Sequence, residues 1–120
     1  MTRVLVVEDN PLNMELEFEL LKAKGFKAEG VANGEEAIKK TEKGLYDLIL
    51  MDIELPGMDG MAVTRIIKSK PQYKNVPVIA ITAYAMKGDK ERFLAAGFED
   101  YIPKPIDVPD FIKRMDKYRN

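Results

Sequence analysis

The sequence predicts an α/β protein in which a five-stranded parallel sheet lies between two layers of helices. Short apolar runs alternate strictly with helix-like patterns through all 120 residues, as in proteins built from repeated strand–helix units. Three of these runs, VLVV, LILM and VIAI, are apolar throughout, which is typical of parallel strands covered on both faces. Two further runs are mixed in composition and fit the edges of the sheet.

Five segments are predicted to be strands. The central strands are residues 3–7 (RVLVV), 47–51 (DLILM) and 76–81 (VPVIAI), and the edge strands are residues 27–31 (KAEGV) and 100–103 (DYIP). The flavodoxin-like strand order 2-1-3-4-5 satisfies this division into central and edge strands. We therefore expect a (βα)5 three-layer sandwich that forms a single domain over residues 1–120.

Capping residues mark the ends of five predicted helices. The first, NPLNMELEFELLKAKG, has Asn10 as its N-cap, Pro11 in its first turn and Gly25 at its end. The second, NGEEAIKKTEKG, has Asn33 and Glu36 at capping-box spacing. The others are GMAVTRIIKS, MKGDKERFLAAG and DVPDFIKRMDKY, and the remaining boundary residues are Gly44, Asp59, Gly97 and Asp107.

The first helix carries apolar residues on two faces, only one of which can meet the sheet. Leu12, Leu16 and Leu20 share one face, and Met14, Phe18 and Leu21 lie roughly opposite. Two interpretations are open. Either Phe18 and Leu21 wedge against neighbouring helices, or Met14 and Phe18 form an exposed patch that docks a partner helix.

The composition excludes several kinds of site. The chain has neither cysteine nor histidine, so it has no disulfide, no thiolate ligand, no cysteine nucleophile and no histidine base. Any metal must be held by oxygen, which indicates Mg²⁺ or Ca²⁺. A net charge of −1 without a basic run gives no nucleic-acid footprint. The early charges of MTRVLVVED argue against a secretory signal, and no apolar run is long enough to span a membrane. We expect a cytoplasmic protein.

Polar residues follow the apolar strands at the points where these strands end. Glu8 and Asp9 follow the first strand, Asp52 the third, Thr82 the fourth and Lys104 the fifth. In a parallel sheet these ends meet at one edge, and with the order 2-1-3-4-5 the ligand crevice falls between the first and third strands. The sequence therefore predicts that three carboxylates meet at this crevice.

This set of residues suits phosphoryl chemistry. Three neighbouring carboxylates repel one another, and a hard cation such as Mg²⁺ relieves the repulsion. Thr82 supplies a hydroxyl and Lys104 a positive charge for the oxygens of a phosphoryl group. An aspartate such as Asp52 can itself accept the phosphoryl group, and it needs no general base because it is already ionised at neutral pH.

These motifs resemble the receiver domain of two-component response regulators. The resemblance covers essentially the whole chain: Glu8-Asp9, LMD at Asp52 followed by LPGMDG, ITA at Thr82, and Lys104-Pro105. The stretch ITAYAMKGDKERFLAAGFEDYIPKPI also resembles stand-alone receivers of the DivK type. The resemblance implies that Asp52 is the phosphoacceptor. It further implies a Mg²⁺ site with Asp9 and Asp52 as direct ligands, the carbonyl of Glu54 as a third, and Glu8 acting through water.

The resemblance also implies a switch. Thr82 would be the switch hydroxyl, Lys104 the phosphate-contacting lysine and Tyr101 the rotating aromatic residue, with a Lys104-Pro105 bond that is commonly cis in the family. An aromatic residue that merely packs at the sheet edge remains an alternative for Tyr101.

The expected function is a phosphorylation-dependent signalling module, not an enzyme acting on other substrates. A histidine kinase or histidine phosphotransfer protein would supply the phosphoryl group, and a downstream protein effector would receive the output by contact. One alternative is a receiver fragment of a larger hybrid kinase or regulator. A Mg²⁺-dependent aspartyl phosphatase of the haloacid-dehalogenase type would need an aspartate where Glu54 stands. A flavin carrier would need a Ser/Thr/Gly-rich loop in place of VEDNPLN.

Overall fold

Five parallel strands form one sheet in the order β2-β1-β3-β4-β5. They are β1 (Arg3–Val7), β2 (Lys27–Val31), β3 (Leu48–Asp52), β4 (Val78–Thr82) and β5 (Asp100–Pro103). The structure is a computed structural model that describes residues 2–83 and 88–119. The predicted fold and strand order are confirmed, with β1, β3 and β4 in the centre.

The helices alternate with the strands, as predicted. They are α1 (Pro11–Ala23), α2 (Gly34–Lys43), α3 (Gly60–Lys68), α4 (Asp89–Ala95) and α5 (Val108–Met115), and short 3₁₀ helices cover Pro71–Tyr73 and Asp116–Tyr118. The side chains of Asn10, Asn33, Asp59 and Asp107 each accept a hydrogen bond from a backbone N–H of the helix they precede. The predicted N-caps are thereby confirmed. Part of the predicted fourth helix, residues 86 and 87, lies outside the described residues.

Each face of the sheet packs against its own set of helices. Alternate strand residues such as Leu5, Ile49 and Ala80 belong to one buried cluster, which includes apolar residues of α2, α3 and α4. Their neighbours in the strands belong to a second cluster with apolar residues of α1 and α5. Because side chains alternate between the faces of a strand, the central strands had to be apolar throughout. No helix among the described residues is long and apolar enough to cross a membrane.

Two of the central strands end one residue later than predicted. The third strand covers Leu48–Asp52 and the fourth Val78–Thr82. The fourth strand also begins later than predicted, after Pro77, which lacks an N–H to donate to the sheet, although its carbonyl accepts a hydrogen bond from Ile49. Because of the later ends, Asp52 and Thr82 are the last residues of their strands and are held by the sheet itself.

Helix α1 turns the face with Met14, Phe18 and Leu21 toward the sheet. Leu21 is fully buried, and Met14 and Phe18 are half-buried against the same cluster. Gly30 on the edge strand β2 leaves room for this packing, because an added Cβ would lie 2.7 Å from atoms of both Met14 and Phe18. Leu12, on the opposite face, is 76% exposed.

We predict that Gly60→Ala destabilises the protein. Gly60 begins α3, and a Cβ there would collide with the backbone carbonyl of Asp52 and lie 2.9 Å from the Cα of Ile53. Since backbone must move to make room, we expect a loss of about 1–3 kcal/mol in the free energy of unfolding. Urea unfolding followed by circular dichroism measures it.

Gly44→Ala is the matched control. Gly44 ends α2 in an extended conformation with a φ of −143°, and the nearest atoms to an added Cβ belong to the Arg3 side chain at 3.8 and 3.9 Å. We expect no loss of stability there, and equal unfolding midpoints for the two variants would contradict the prediction.

Candidate phosphoryl-acceptor site

The ends of β1 and β3 bring three carboxylates together. The two strands pair in parallel, with Val7 opposite Met51, so Glu8 and Asp9 follow β1 where Asp52 ends β3. One oxygen from each acid lies within 4.8 Å of the others. Glu8 and Asp52 are buried, whereas Asp9 is exposed. The structure thus brings together the three acids that the sequence placed at this crevice.

Asp52 is held by a backbone donor and a lysine. Its Oδ1 accepts a hydrogen bond of 2.9 Å from the N–H of Glu54, and its Oδ2 accepts one of 2.9 Å from Lys104 Nζ. Only 1% of Asp52 is exposed. The Asp52 carboxylate is therefore fixed in orientation, and its negative charge is partly balanced by the lysine.

Lys104 reaches the acids because β5 pairs with β4. Its N–H donates to the carbonyl of Thr82 at 2.8 Å, and its Nζ also lies 3.6 Å from Glu8 Oε1. Burial lowers the pKa of Lys104, but the hydrogen bond and charge of Asp52, with the charges of Glu8 and Glu54, outweigh it and raise the pKa overall. Lys104 thus carries its charge at neutral pH. The peptide bond between Lys104 and Pro105 is cis, as the resemblance implied.

Glu8 lies behind Asp52 and is almost completely buried. Its Oε2 accepts a hydrogen bond of 3.1 Å from the N–H of Asn10, whereas Oε1 has no hydrogen-bond partner among residues 2–83 and 88–119. Burial raises the pKa of Glu8 to about 7, and the adjacent Asp52 carboxylate adds to the shift. The folded protein therefore favours the neutral form of Glu8 more strongly than an exposed site would.

Glu17 is a buried acid that the sequence analysis missed. It lies on the buried face of α1 and is 0% exposed. Burial raises the pKa of Glu17 to about 9, and the charge of the adjacent Glu8 and a hydrogen bond between the two carboxyl groups contribute. Its position one turn before Leu21 was the available signal, because residues four apart share a helix face.

Thr82 and Glu54 face each other across the site. The hydroxyl of Thr82 donates to Glu54 Oε2 at 2.7 Å, and the N–H of Ala83 donates to Glu54 Oε1 at 2.9 Å. Thr82 is buried at the end of β4. Glu54 was expected to contribute only its backbone carbonyl, so the position of its side chain is new information from the structure.

Tyr101 lies on β5 at a distance from the acids. Its ring is half-buried and packs on Phe93 of α4, with centroids 5.8 Å apart, and the Arg114 guanidinium lies 5.9 Å from the ring centroid. Arg114 also donates to the Tyr101 carbonyl and to the Asp100 carboxylate. These contacts place Tyr101 between α4 and α5, where the switch role stays a prediction.

Met14 and Phe18 are only half-buried on helix α1. Both side chains lie against Gly30, and both line an open surface groove beside Pro11 and Glu15. The largely exposed apolar residue of this helix is Leu12. Leu21 is fully buried, and the docking role of Met14 and Phe18 stays a prediction.

The donor set at this site fits a hard divalent cation. Three carboxylates within 4.8 Å of one another are ligands that Mg²⁺ accepts while it keeps several waters. The buried Glu8 Oε1, without a hydrogen-bond partner among the described residues, is an acceptor that a metal-bound water would satisfy. A cation there would also relieve the repulsion among the acids.

Comparison with known proteins agrees with this geometry. The family model described as "Response regulator receiver domain" matches residues 4–116. A curated relative, the polar-differentiation response regulator DivK of Brucella anthropi, is 47% identical over 115 residues, which is 96% of this chain and 94% of DivK.

Two solved structures share the fold. The receiver domain of the sensor histidine kinase PA1611 of Pseudomonas aeruginosa PAO1, solved with a magnesium ion in its active-site cleft, is 38% identical with a TM-score of 0.88 and covers 98% of this chain and 96% of its own. The receiver domain of Saccharomyces cerevisiae Ssk1, solved in complex with the histidine phosphotransfer protein Ypd1, is 26% identical with a TM-score of 0.88. The match covers 98% of this chain and 88% of the Ssk1 chain.

Glu17 predicts a distinctive dependence of stability on pH. Its pKa is about 9 in the folded protein and near the ordinary 4.5 when unfolded, so between these values the unfolded chain releases a proton that the folded protein retains. Stability must therefore fall as the pH rises through this window. We expect metal-free Glu17→Gln to lose less stability than wild type between pH 5 and 8, by up to about 4 kcal/mol.

Urea unfolding in EDTA at several pH values measures this difference. Glu19→Gln, an exposed change on the same helix, is the matched control and should follow wild type. Parallel pH profiles for wild type and Glu17→Gln would show that Glu17 is ionised in the folded protein.

Proposed function

The chain belongs to the response regulator receiver domain family of two-component signalling, and from this we propose that Asp52 accepts a phosphoryl group from a phosphohistidine of a partner protein. The observation that carries the proposal is the buried Asp52 carboxylate, flanked by two further acids and hydrogen-bonded to Lys104. In the transfer an Asp52 oxygen bonds to phosphorus, the phosphorus–nitrogen bond breaks, and the imidazole keeps the electron pair. The product is an acyl phosphate.

The residues around Asp52 would stabilise the charge on the transferred group. The Lys104 ammonium already contacts Asp52 Oδ2 at 2.9 Å, so it lies where phosphoryl oxygens attached to that carboxylate would be. The hydroxyl of Thr82 and the N–H of Ala83 are further donors at the same edge of the sheet. Donors that are already in place stabilise developing charge without reorganisation at the moment of reaction.

The acidic cluster would hold Mg²⁺. Asp9 and Asp52 would be direct ligands, the backbone carbonyl of Glu54 a third, and Glu8 would act through a water molecule. When bound, the cation neutralises charge on the acids and on the phosphoryl oxygens. The magnesium ion in the active-site cleft of the PA1611 receiver domain supports this assignment.

The phosphoryl donor would be a histidine kinase or a histidine phosphotransfer protein. The Ssk1 receiver domain forms a complex with the phosphotransfer protein Ypd1, and it shares this fold. We further propose that the chain acts as a single receiver domain over residues 1–120 in the cytoplasm and passes its signal to a protein effector. The surface of α4, β5 and α5, with Tyr101 between the helices, is where Thr82 would transmit the change.

Asp52→Asn should abolish phosphorylation. The amide is nearly isosteric with the carboxylate but is a far weaker nucleophile, so no acyl phosphate can form. Incubation with acetyl phosphate and Mg²⁺, followed by intact-mass measurement, should show one phosphoryl adduct on wild type and none on the variant. An adduct of equal yield on Asp52→Asn would place the acceptor elsewhere.

Asp9→Ala should weaken both Mg²⁺ binding and phosphorylation. Asp9 is the exposed member of the acidic cluster, so its removal takes away a metal ligand without opening a buried cavity. We expect at least about a tenfold loss of Mg²⁺ affinity, measured by titration of amide chemical shifts. Asp47→Ala is a control far from the cluster, and phosphorylation of Asp9→Ala at the wild-type rate would refute the metal's role.

A further inference from the structure

The side chain of Glu54 occupies the donors that the phosphoryl group needs. Its two carboxylate oxygens accept from the Thr82 hydroxyl at 2.7 Å and from the Ala83 N–H at 2.9 Å. At the same time its own N–H donates to Asp52 Oδ1 at 2.9 Å. One residue thus contacts both the phosphoacceptor and the two donors on the neighbouring strand end.

The sheet fixes this arrangement. The β3–β4 ladder extends one residue past Asp52, since the N–H of Ile53 donates to the carbonyl of Ile81 at 3.0 Å. Glu54 therefore emerges opposite Thr82 and Ala83, and the reach of its side chain brings the carboxylate to both of their donors. Each of these hydrogen bonds joins a neutral donor to an ionised acceptor, which makes it stronger than a neutral pair.

We propose that the Glu54 carboxylate is an internal competitor that a phosphoryl group on Asp52 must displace from Thr82 and Ala83. A carboxylate and a phosphoryl group are both anionic and present oxygens to the same donors, so the two cannot be bound there together. The displaced Glu54 side chain is half-exposed and can turn into water. This inference rests on the proposed function, because the competition exists only if Asp52 carries the phosphoryl group.

The competition gives Glu54 a regulatory effect. In the unphosphorylated protein it holds Thr82 in its resting position and keeps the switch off. On phosphorylation the breaking of its hydrogen bonds offsets part of the free energy gained by the phosphoryl contacts. Glu54 therefore lowers the affinity with which the donors of Thr82 and Ala83 bind a phosphoryl group on Asp52. A shorter side chain at residue 54 raises that affinity.

Beryllofluoride, a phosphoryl mimic that attaches to an aspartate with Mg²⁺, measures this effect directly. We expect Glu54→Ala to bind it about tenfold more tightly than wild type at saturating Mg²⁺, the fold-change that loss of one charge-assisted hydrogen bond produces. Glu54→Gln keeps an acceptor oxygen without the charge and should fall between the two. In the free protein, the amide proton of Ala83 should move upfield in Glu54→Ala.

Two controls separate competition for donors from simple charge repulsion. Glu35→Ala removes an exposed acid from the first turn of α2 and should leave the affinity unchanged. In a Thr82→Val background, which lacks the hydroxyl, the effect of Glu54→Ala should fall by at least half. An effect of unchanged size in that background, or equal affinities for Glu54→Gln and Glu54→Ala, would show repulsion alone and overturn the proposal.

The same experiment distinguishes this inference from the proposed function. If wild type binds beryllofluoride and Asp52→Asn does not, the function stands, and equal affinities for wild type and Glu54→Ala then refute only the role of Glu54. If wild type fails to bind the mimic in the presence of Mg²⁺, the proposed function itself fails.

Discussion

The parallel pairing of β1 with β3 is the constraint on which the site depends. Both strands are buried on their two faces, so the polypeptide has no freedom to move their ends apart. The pairing puts Glu8 and Asp52 at one edge of the sheet, where burial and the adjacent Asp52 carboxylate raise the pKa of Glu8. The same register carries through β4 to β5 and brings Lys104 against the acids. The fold itself therefore holds three carboxylates and the Lys104 ammonium together at this edge.

Much of this arrangement could be predicted from the sequence, because it follows from strand ends. An apolar run that stops at Asp52 fixes both the strand and the place of the carboxylate, and parallel topology does the rest. The N-capping residues could be predicted as well, because each one stands directly before the first residue of its helix. Glu17 and the side chain of Glu54 could not be read in the same way. Their roles depend on the rotation of α1 and on the direction of one side chain after β3, and local pattern determines neither.

The rotation of α1 shows why the pattern alone was insufficient. Its two apolar faces have similar spacing, and hydrophobicity gives no reason to choose between Leu12 and Met14. The packing partners lie elsewhere in the chain, and among them Gly30 on β2 leaves space that Met14 and Phe18 fill. Glu17 then faces the interior because it lies on the same side as Leu21. The free energy that burial of this acid costs is thus imposed by the packing of α1 on the sheet.

The contacts of the site also show how an exchange of hydrogen-bond partners at Thr82 and Ala83 can affect helix α5. Glu54 holds Thr82, and the Thr82 carbonyl in turn accepts the hydrogen bond from the Lys104 N–H. Lys104 directly follows β5, and on that strand the Tyr101 carbonyl accepts a hydrogen bond from Arg114 of α5. A path of hydrogen bonds and one short chain segment therefore runs from Asp52 to α5. Contacts alone do not make a switch, since coupling needs an element with two arrangements that a ligand can bias. The donors of Thr82 and Ala83, bound either by Glu54 or by a phosphoryl group, supply those two arrangements at the start of the path.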